Sequence, residues 1–467
     1  MAKRAKPQGE PGRAQWGSSL GFVLAAASSA VGLGNIWKFP GRVYEGGGGT
    51  FLLAYVLIVF VLGAAVLLAE LALGRRTQRS LVGALDALGH PRWKWVGGLG
   101  VLCGFVIASY YIQVGGWVLH YAAGYALDAG RIYADPAAYF ARMLGQEGFP
   151  WLGAILCPLL FAGAAAWVLR RGVSAGIERF SKVAMPALLV LLLGLMVRAV
   201  TLPGAQEGVG QLFTLSWEGW TPGVLLSALG QAFYSLSLGM AVMVTYGSYL
   251  RPGENLVRNV GWICALDTLV ALLAALTVLP AVSAAGAAPG AGSGFVFTSL
   301  TGVFASLPGG AVFGALFYLL LLVAALTSAI SILEGAVAYV TEQWRWRRPR
   351  AICLVSAAAF LLGVAYTLSQ GYLPLRGIWF DFAQGLQLPR LGEWMELVTD
   401  RLLMPLGALL LCLFVGWVWG ADNAVAEIRR GAPFRLGRVW AALVRWAAPL
   451  AILAILAGGV VFGMQLS

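Results

Sequence analysis

The chain has 467 residues, of which 60% are hydrophobic and only 11% charged. A soluble globular domain carries about 25% charged residues, so that class is excluded and a polytopic helical membrane protein is expected. The formal charge of +12 would suit a nucleic-acid partner. Basic cytoplasmic loops explain it better, and no nucleic acid is expected.

The first segment, 1–16, is polar and basic, with no short apolar core or cleavage site, so a cytoplasmic tail rather than a cleavable signal is expected. Eleven apolar stretches follow that are long enough to span a bilayer. They run over 17–42, 50–74, 95–125, 151–170, 183–201, 222–249, 259–283, 310–341, 351–370, 401–420 and 439–463. With the N-terminus inside, the cytoplasmic segments hold 23 of the 32 Lys and Arg, and 283–309, outside, holds none. The positive-inside rule therefore predicts an N-terminus in the cytoplasm and, after eleven spans, a "GMQLS" end outside the inner (plasma) membrane.

Span 1 contains "SSAVGLGNIWKFP" (28–40). Glycine costs roughly 1 kcal/mol relative to alanine inside a helix. Gly32 and Gly34 followed by Asn35 therefore predict a place where the helix opens. Span 2 carries Glu70 within "LLAELALGR". Span 6 has a second interruption, "GQAFYSLSLGM" (230–240), five spans after the first. Two broken helices in corresponding positions predict an inverted-repeat transporter with its site at the breaks. The repeats would be spans 1–5 (17–201) and 6–10 (222–420), with 439–463 an additional span. For either glycine cluster alone, close helix packing is an equal reading.

An opened helix frees backbone carbonyls and N–H groups where no water can satisfy them. Carbonyls suit a hard cation such as sodium, and half-helix N-termini suit a carboxylate. Asp267 in span 7 is an ion-ligand candidate, since ionisable groups within spans are functional hypotheses by default. Thr327 and Ser328 in span 8 offer hydroxyls, though each could simply bond back to its own helix. Glu70 and Glu334 read better as structural ties that hold a neighbouring broken helix. The five cysteines are scattered singly and there are two histidines, so neither a disulfide framework nor a zinc site is expected. No clustered catalytic constellation is found in the spans, and an enzyme is not expected.

Together, "AVGLGNIWKFP" and "EGGGGTFLLAYV" resemble the first two helices of the neurotransmitter:sodium symporters. "RGVSAGIERFSKVAMP", "GQAFYSLSLGMAVMVTYGSY", "AALTSAISILEG" and "PLGALLLCLFVGWVWGAD" resemble their helices 5, 6, 8 and 10. The resemblance runs from about Arg13 to the last span, and the eleven-span length is similar to the bacterial branch that takes hydrophobic amino acids. It implies an all-α fold with an inverted 5+5 repeat and broken helices 1 and 6. It also implies two sodium ions as coupling partners and an amino acid as substrate.

Carried over by motif, one sodium site would comprise the Ala30 carbonyl, Asn35, Ser235 and Asp267, completed by the substrate carboxylate. The other would comprise the Ser28, Val31 and Ala324 carbonyls with Thr327 and Ser328. The substrate carboxylate would meet Leu33, Gly34 and Tyr111, and its amino group the carbonyls of Ala30, Tyr234 and Ser237. Ser29, Ile107, Tyr234, Ser235, Ser237, Met240, Ser328 and Ile332 would complete the substrate-binding set. Members that carry amines have Asp where Gly32 stands, so Gly32 implies a substrate with its own carboxylate. Asp267 stands where some members have Asn; a carboxylate fixed there could replace the anion that chloride-dependent members need near that sodium, which implies chloride independence. Lys38 and Glu396 would form the outer gate, with Asp400 and Glu393 as competing partners. Arg13 and Glu342, with Trp16 and Tyr249 beside them, would form the inner gate. A proton-coupled transporter, or a non-transporting amino-acid sensor on the same fold, is the alternative.

Overall fold

A computed structural model describes residues 13–290, 292–381 and 385–461. It is a bundle of helices long enough to cross a bilayer, joined by short loop helices. The first helix, α1 (Ser19–Ala30), starts where Ser18 caps it: the Ser18 hydroxyl oxygen accepts the Gly21 N–H at 3.0 Å. It ends at Val31, whose ψ of 96° leaves the helical region. The chain resumes as α2 (Gly34–Glu45), bent by 51° from α1.

Then come α3 (Gly49–Thr77), α4 (Pro91–Ala134), α5 (Trp151–Arg170) and α6 (Val173–Val200). The sixth apolar stretch divides into α7 (Pro222–Ser235) and α8 (Val242–Gly247). Pro222 opens α7 where its missing N–H costs nothing, and Thr221 caps it. The bundle continues with α9 (Leu256–Ala284), α10 (Gly310–Gln343), α11 (Arg348–Gly371), α12 (Leu391–Val418) and α13 (Gly437–Gly459). A small antiparallel pair, β1 (Trp379–Asp381) and β2 (Gly385–Gln387), lies between α11 and α12.

Among the described residues, nine helices are individually long and apolar enough to span, and the bent pair α1–α2 makes ten. The expected sixth span is not counted on length, because α7 and α8 have only 14 and 6 residues. Its opening at 236–241 is the physical reason. The expected external "GMQLS" end, and most of the 1–16 tail, lie outside the described residues.

Burial sorts the helices. In the most apolar window of α10, 72% of residues are buried within the protein, against 33% for α6. The central α10 is thus packed on most of its circumference, and α6 faces lipid. Glycines permit the closest approaches, as in membrane bundles generally. A Cβ on Gly247 of α8 would stand 2.7 Å from the Leu71 carbonyl oxygen of α3, and one on Gly74 would run into the Val244 carbonyl. All five cysteines are free.

Candidate functional site

The two interrupted spans meet at the middle of the bundle. In the first, the break at 31–33 leaves the N–H groups of Gly32 and Leu33 without a backbone carbonyl partner in the helix. The Gly32 N–H donates to Asn35 Oδ1 at 3.3 Å, and the Leu33 N–H to the Tyr111 hydroxyl at 3.0 Å. In the second, Ser237, Gly239 and Ala241 all have positive φ, at 55°, 80° and 63°. Two of these are not glycine, a strained arrangement that needs external support. Glu70 of α3 supplies part of it by accepting the Gly239 N–H at 2.8 Å. Glu334 of α10 accepts two hydrogen bonds from Arg348, at 2.8 and 2.7 Å, and one from the Tyr249 hydroxyl at 2.6 Å.

A small cavity of about 30 Å³ lies between the breaks. Of the expected substrate residues, Ser29, Ala30, Gly34, Ile107, Tyr111, Tyr234, Ser237, Met240, Ser328 and Ile332 line it. Leu33 and Ser235 do not: Leu33 turns its N–H to Tyr111, and Ser235 is drawn into the carboxylate cluster described next. Gly32 and Asn35 line the cavity in addition. The lining combines freed backbone and hydroxyl groups with the apolar side chains of Ile107, Met240 and Ile332.

Asp267 is fully buried on α9. Its Oδ1 accepts from the Asn35 amide at 2.8 Å and from the Ser235 hydroxyl at 2.7 Å. Its Oδ2 accepts from the Tyr55 hydroxyl at 3.0 Å. Sequence reasoning missed Tyr55; a tyrosine in the apolar run of span 2 carries no distinguishing signal. Carboxylate, amide and hydroxyl oxygens gathered here are the donors a hard monovalent cation takes. Among the described residues no group of three or more His, Cys, Asp or Glu side chains converges as a transition-metal site would require.

The second oxygen cluster joins α1 to α10. The Ser328 hydroxyl reaches the carbonyls of Val31 and Ser29 at 3.2 and 3.3 Å. Thr327 instead bonds back to the Ala324 carbonyl of its own helix at 2.9 Å. The Ser28 hydroxyl donates to Ala25 and to Ser181 of α6, both at 3.0 Å.

Ion pairs close both ends. Lys38 pairs with Asp400, not Glu396, at 3.2 Å, and its ammonium stands 4.6 Å from the centre of the Tyr234 ring. Glu396 accepts the Tyr366 hydroxyl at 2.6 Å instead. This corrects the expected outer pair: the two acids are one helical turn apart on α12, and the nearer one takes the cation. At the other end Arg13 meets Glu342 at 2.9 Å and the Ser248 hydroxyl at 2.6 Å. Trp16 binds the Tyr249 carbonyl through its backbone N–H (3.1 Å) and the Tyr246 carbonyl through its indole (3.0 Å).

The family model described as "Sodium:neurotransmitter symporter family" matches residues 13–127 and 132–466. The chain belongs to this family. Among symporters of this kind, a sodium-dependent transporter of Bacillus subtilis, YhdH, is 38% identical over 94% of this chain and 96% of its own. The sodium-dependent nutrient amino acid transporter 1 of Drosophila grimshawi is 26% identical over 92% of this chain and 74% of its own. The crystal structure of MhsT in complex with L-phenylalanine superposes with a TM-score of 0.84 at 38% identity, over 95% of this chain and 99% of that one. The chain is therefore a sodium-dependent, multi-pass membrane transporter of the symporter family.

Proposed function

We propose that this symporter takes up neutral hydrophobic L-amino acids, aliphatic or aromatic, together with sodium and without chloride. The cavity lining carries this reading: freed backbone and the Tyr111 hydroxyl stand together with the apolar Ile107, Met240 and Ile332. An α-amino acid has the same polarity. The L-phenylalanine bound by the similar MhsT, and the nutrient amino acids named for the Drosophila relative, support it. Gly32 adds a steric argument against amines. A Cβ there would stand 2.8 Å from both the Ser328 and the Tyr111 oxygens, so an added carboxylate has no room.

In this reading Asn35, Ser235 and Asp267 hold one sodium, and the substrate carboxylate completes its shell beside the Ala30 carbonyl. That shared ligand couples the two. The carbonyls of Ser28, Val31 and Ala324, with Thr327 and Ser328, hold a second sodium. The fixed Asp267 carboxylate replaces a chloride. Spans 1–5 and 6–10 form the inverted repeats, with the N-terminus cytoplasmic. Sodium favours the outward-open form, and substrate then lets Tyr234 and the Lys38 pair close over it. The inner contacts of Arg13 and Trp16 next release, and the cargo leaves to the cytoplasm. The membrane potential contributes about 2.3 kcal/mol per charge per 100 mV to sodium entry.

The test is thermal unfolding of the purified protein with a panel of amino acids in sodium and in potassium. A bound ligand raises apparent stability by mass action, about 2.7 kcal/mol at one hundred times its Kd. Stabilisation by Leu, Ile, Val, Met or an aromatic amino acid in sodium alone, with or without chloride, is expected. Equal shifts in potassium would overturn sodium coupling in favour of the proton-coupled or sensor reading. The variant Gly32→Ala is expected to weaken that stabilising ligand roughly tenfold, the effect of overpacking by one methyl.

A further inference from the structure

A groove distinct from the central cavity runs along the outside of the bundle, where α4, α10 and α11 diverge. It has about 550 Å³ of free space, the size of a site for a ligand rather than a packing defect. Its wall is apolar: Phe105 of α4, Ala336 and Val340 of α10, and Leu354 and Ala358 of α11 are among the residues that form it. Gly98 of α4 also lines it, and a Cβ at that glycine would meet nothing within 4 Å. The glycine therefore keeps space open without serving close helix contact. Trp344 and Trp346 line the groove at one end, in the connection between α10 and α11.

That end is strongly basic. In "WRWRRPR" (344–350) the two tryptophans alternate with arginines. Arg345, Arg347 and Arg350 are exposed, and among the described residues none of the three pairs with a carboxylate. Arg350 lies 4.8 Å from the centre of the Trp346 ring, which joins the charge to the groove wall. Arg348 is different: it is committed to Glu334. An apolar channel in the membrane-spanning layer, ending in aromatic rings and free guanidinium groups, matches a molecule with a hydrocarbon tail and an anionic head. Guanidinium is suited to phosphate, and basic clusters at membrane surfaces attract anionic lipid.

We propose that this groove binds an anionic phospholipid, one acyl chain lying against α4, α10 and α11 and the phosphate held by Arg345, Arg347 and Arg350. The charge complementarity at the tryptophan end selects this occupant over a neutral lipid. The site stands apart from the substrate cavity and does not depend on which amino acid is carried.

The experiment measures binding of phosphatidylglycerol and of phosphatidylcholine with identical chains to the detergent-purified protein, by thermal shift and by native mass spectrometry. Phosphatidylglycerol is expected to bind roughly tenfold more tightly. The triple variant Arg345→Gln, Arg347→Gln, Arg350→Gln is expected to lose that preference while still binding phosphatidylcholine. Gly98→Leu fills the groove and replaces a poor helix former by a good one; it is expected to fold and to lose both lipids. Equal binding of the two lipids, a preference that survives the triple variant, or undiminished binding to Gly98→Leu would each overturn the proposal.

Discussion

The two ends of the proposed substrate path, outer and inner in the proposed orientation, are closed in different ways. The outer closure depends on Lys38, held by Asp400 and the Tyr234 ring. The inner closure ties together several segments. Arg13 reaches Glu342 and Ser248, Glu342 also accepts the Ser80 N–H at 2.8 Å, and Trp16 is bonded twice to 246–249. Arg13 also stands over the Tyr249 ring at 4.8 Å. The outer pair is the more buried, with side chains 13% and 5% exposed against 21% and 12%, yet Arg13 donates a further hydrogen bond, to Ser248, that Lys38 does not match among the described residues. Burial alone therefore does not rank them. Opening the inside requires several hydrogen bonds, those of Arg13, Glu342 and Trp16, to break together.

That comparison can be broken most directly at Arg13. Arg13→Ala removes hydrogen bonds to a charged group, each worth about 1.5–3 kcal/mol. Amide hydrogen exchange across Ser19–Ala30 is expected to rise at least tenfold, with loss of sodium-driven uptake; unchanged exchange would mean the inner network is not what holds α1. A smaller effect on α1 is expected from Lys38→Ala, whose ion pair and cation–π contact lie at the other end of the path. Substrate dissociation in sodium should speed up about fivefold while exchange across Ser19–Ala30 stays as it was. The smallest change should come from Lys38→Arg. A planar guanidinium can hold Asp400 with two hydrogen bonds, so dissociation should slow about twofold. Faster dissociation would show that the length of the lysine, not its charge, fits the outer end.

The sequence carried the first break because three features coincide there: Gly32, Gly34 and the amide of Asn35. It carried the second less fully. Gly239 is visible in the sequence, but the positive φ of Ser237 and Ala241 is imposed by packing and by Glu70. Asp267 was legible as an isolated charge in an apolar run, whereas its Tyr55 partner was not. The choice between Glu396 and Asp400 was not legible either, since residues four apart share a helix face and only the approach of Lys38 decides. The buried pair of Arg75 and Glu427, with Nε and Oε1 2.9 Å apart, joins residues 352 positions apart and left no trace in local pattern. The broken sixth span was recognised by its apolar length, although neither half is long enough alone.

The contacts of α3 across the second break have a mechanical consequence. On one side Glu70 grips Gly239; on the other, Gly74 and Gly247 let α3 and α8 touch backbone to backbone. The joint in span 6 is splinted to α3 across its gap, so torque applied to α8 passes into α3 instead of flexing the joint. The 51° elbow between α1 and α2 has Ser328 and Tyr111 bonded at its vertex and Glu178 at the far end of its inner arm, through Ser18. Of the two breaks, the first is built as a hinge and the second as part of a lever.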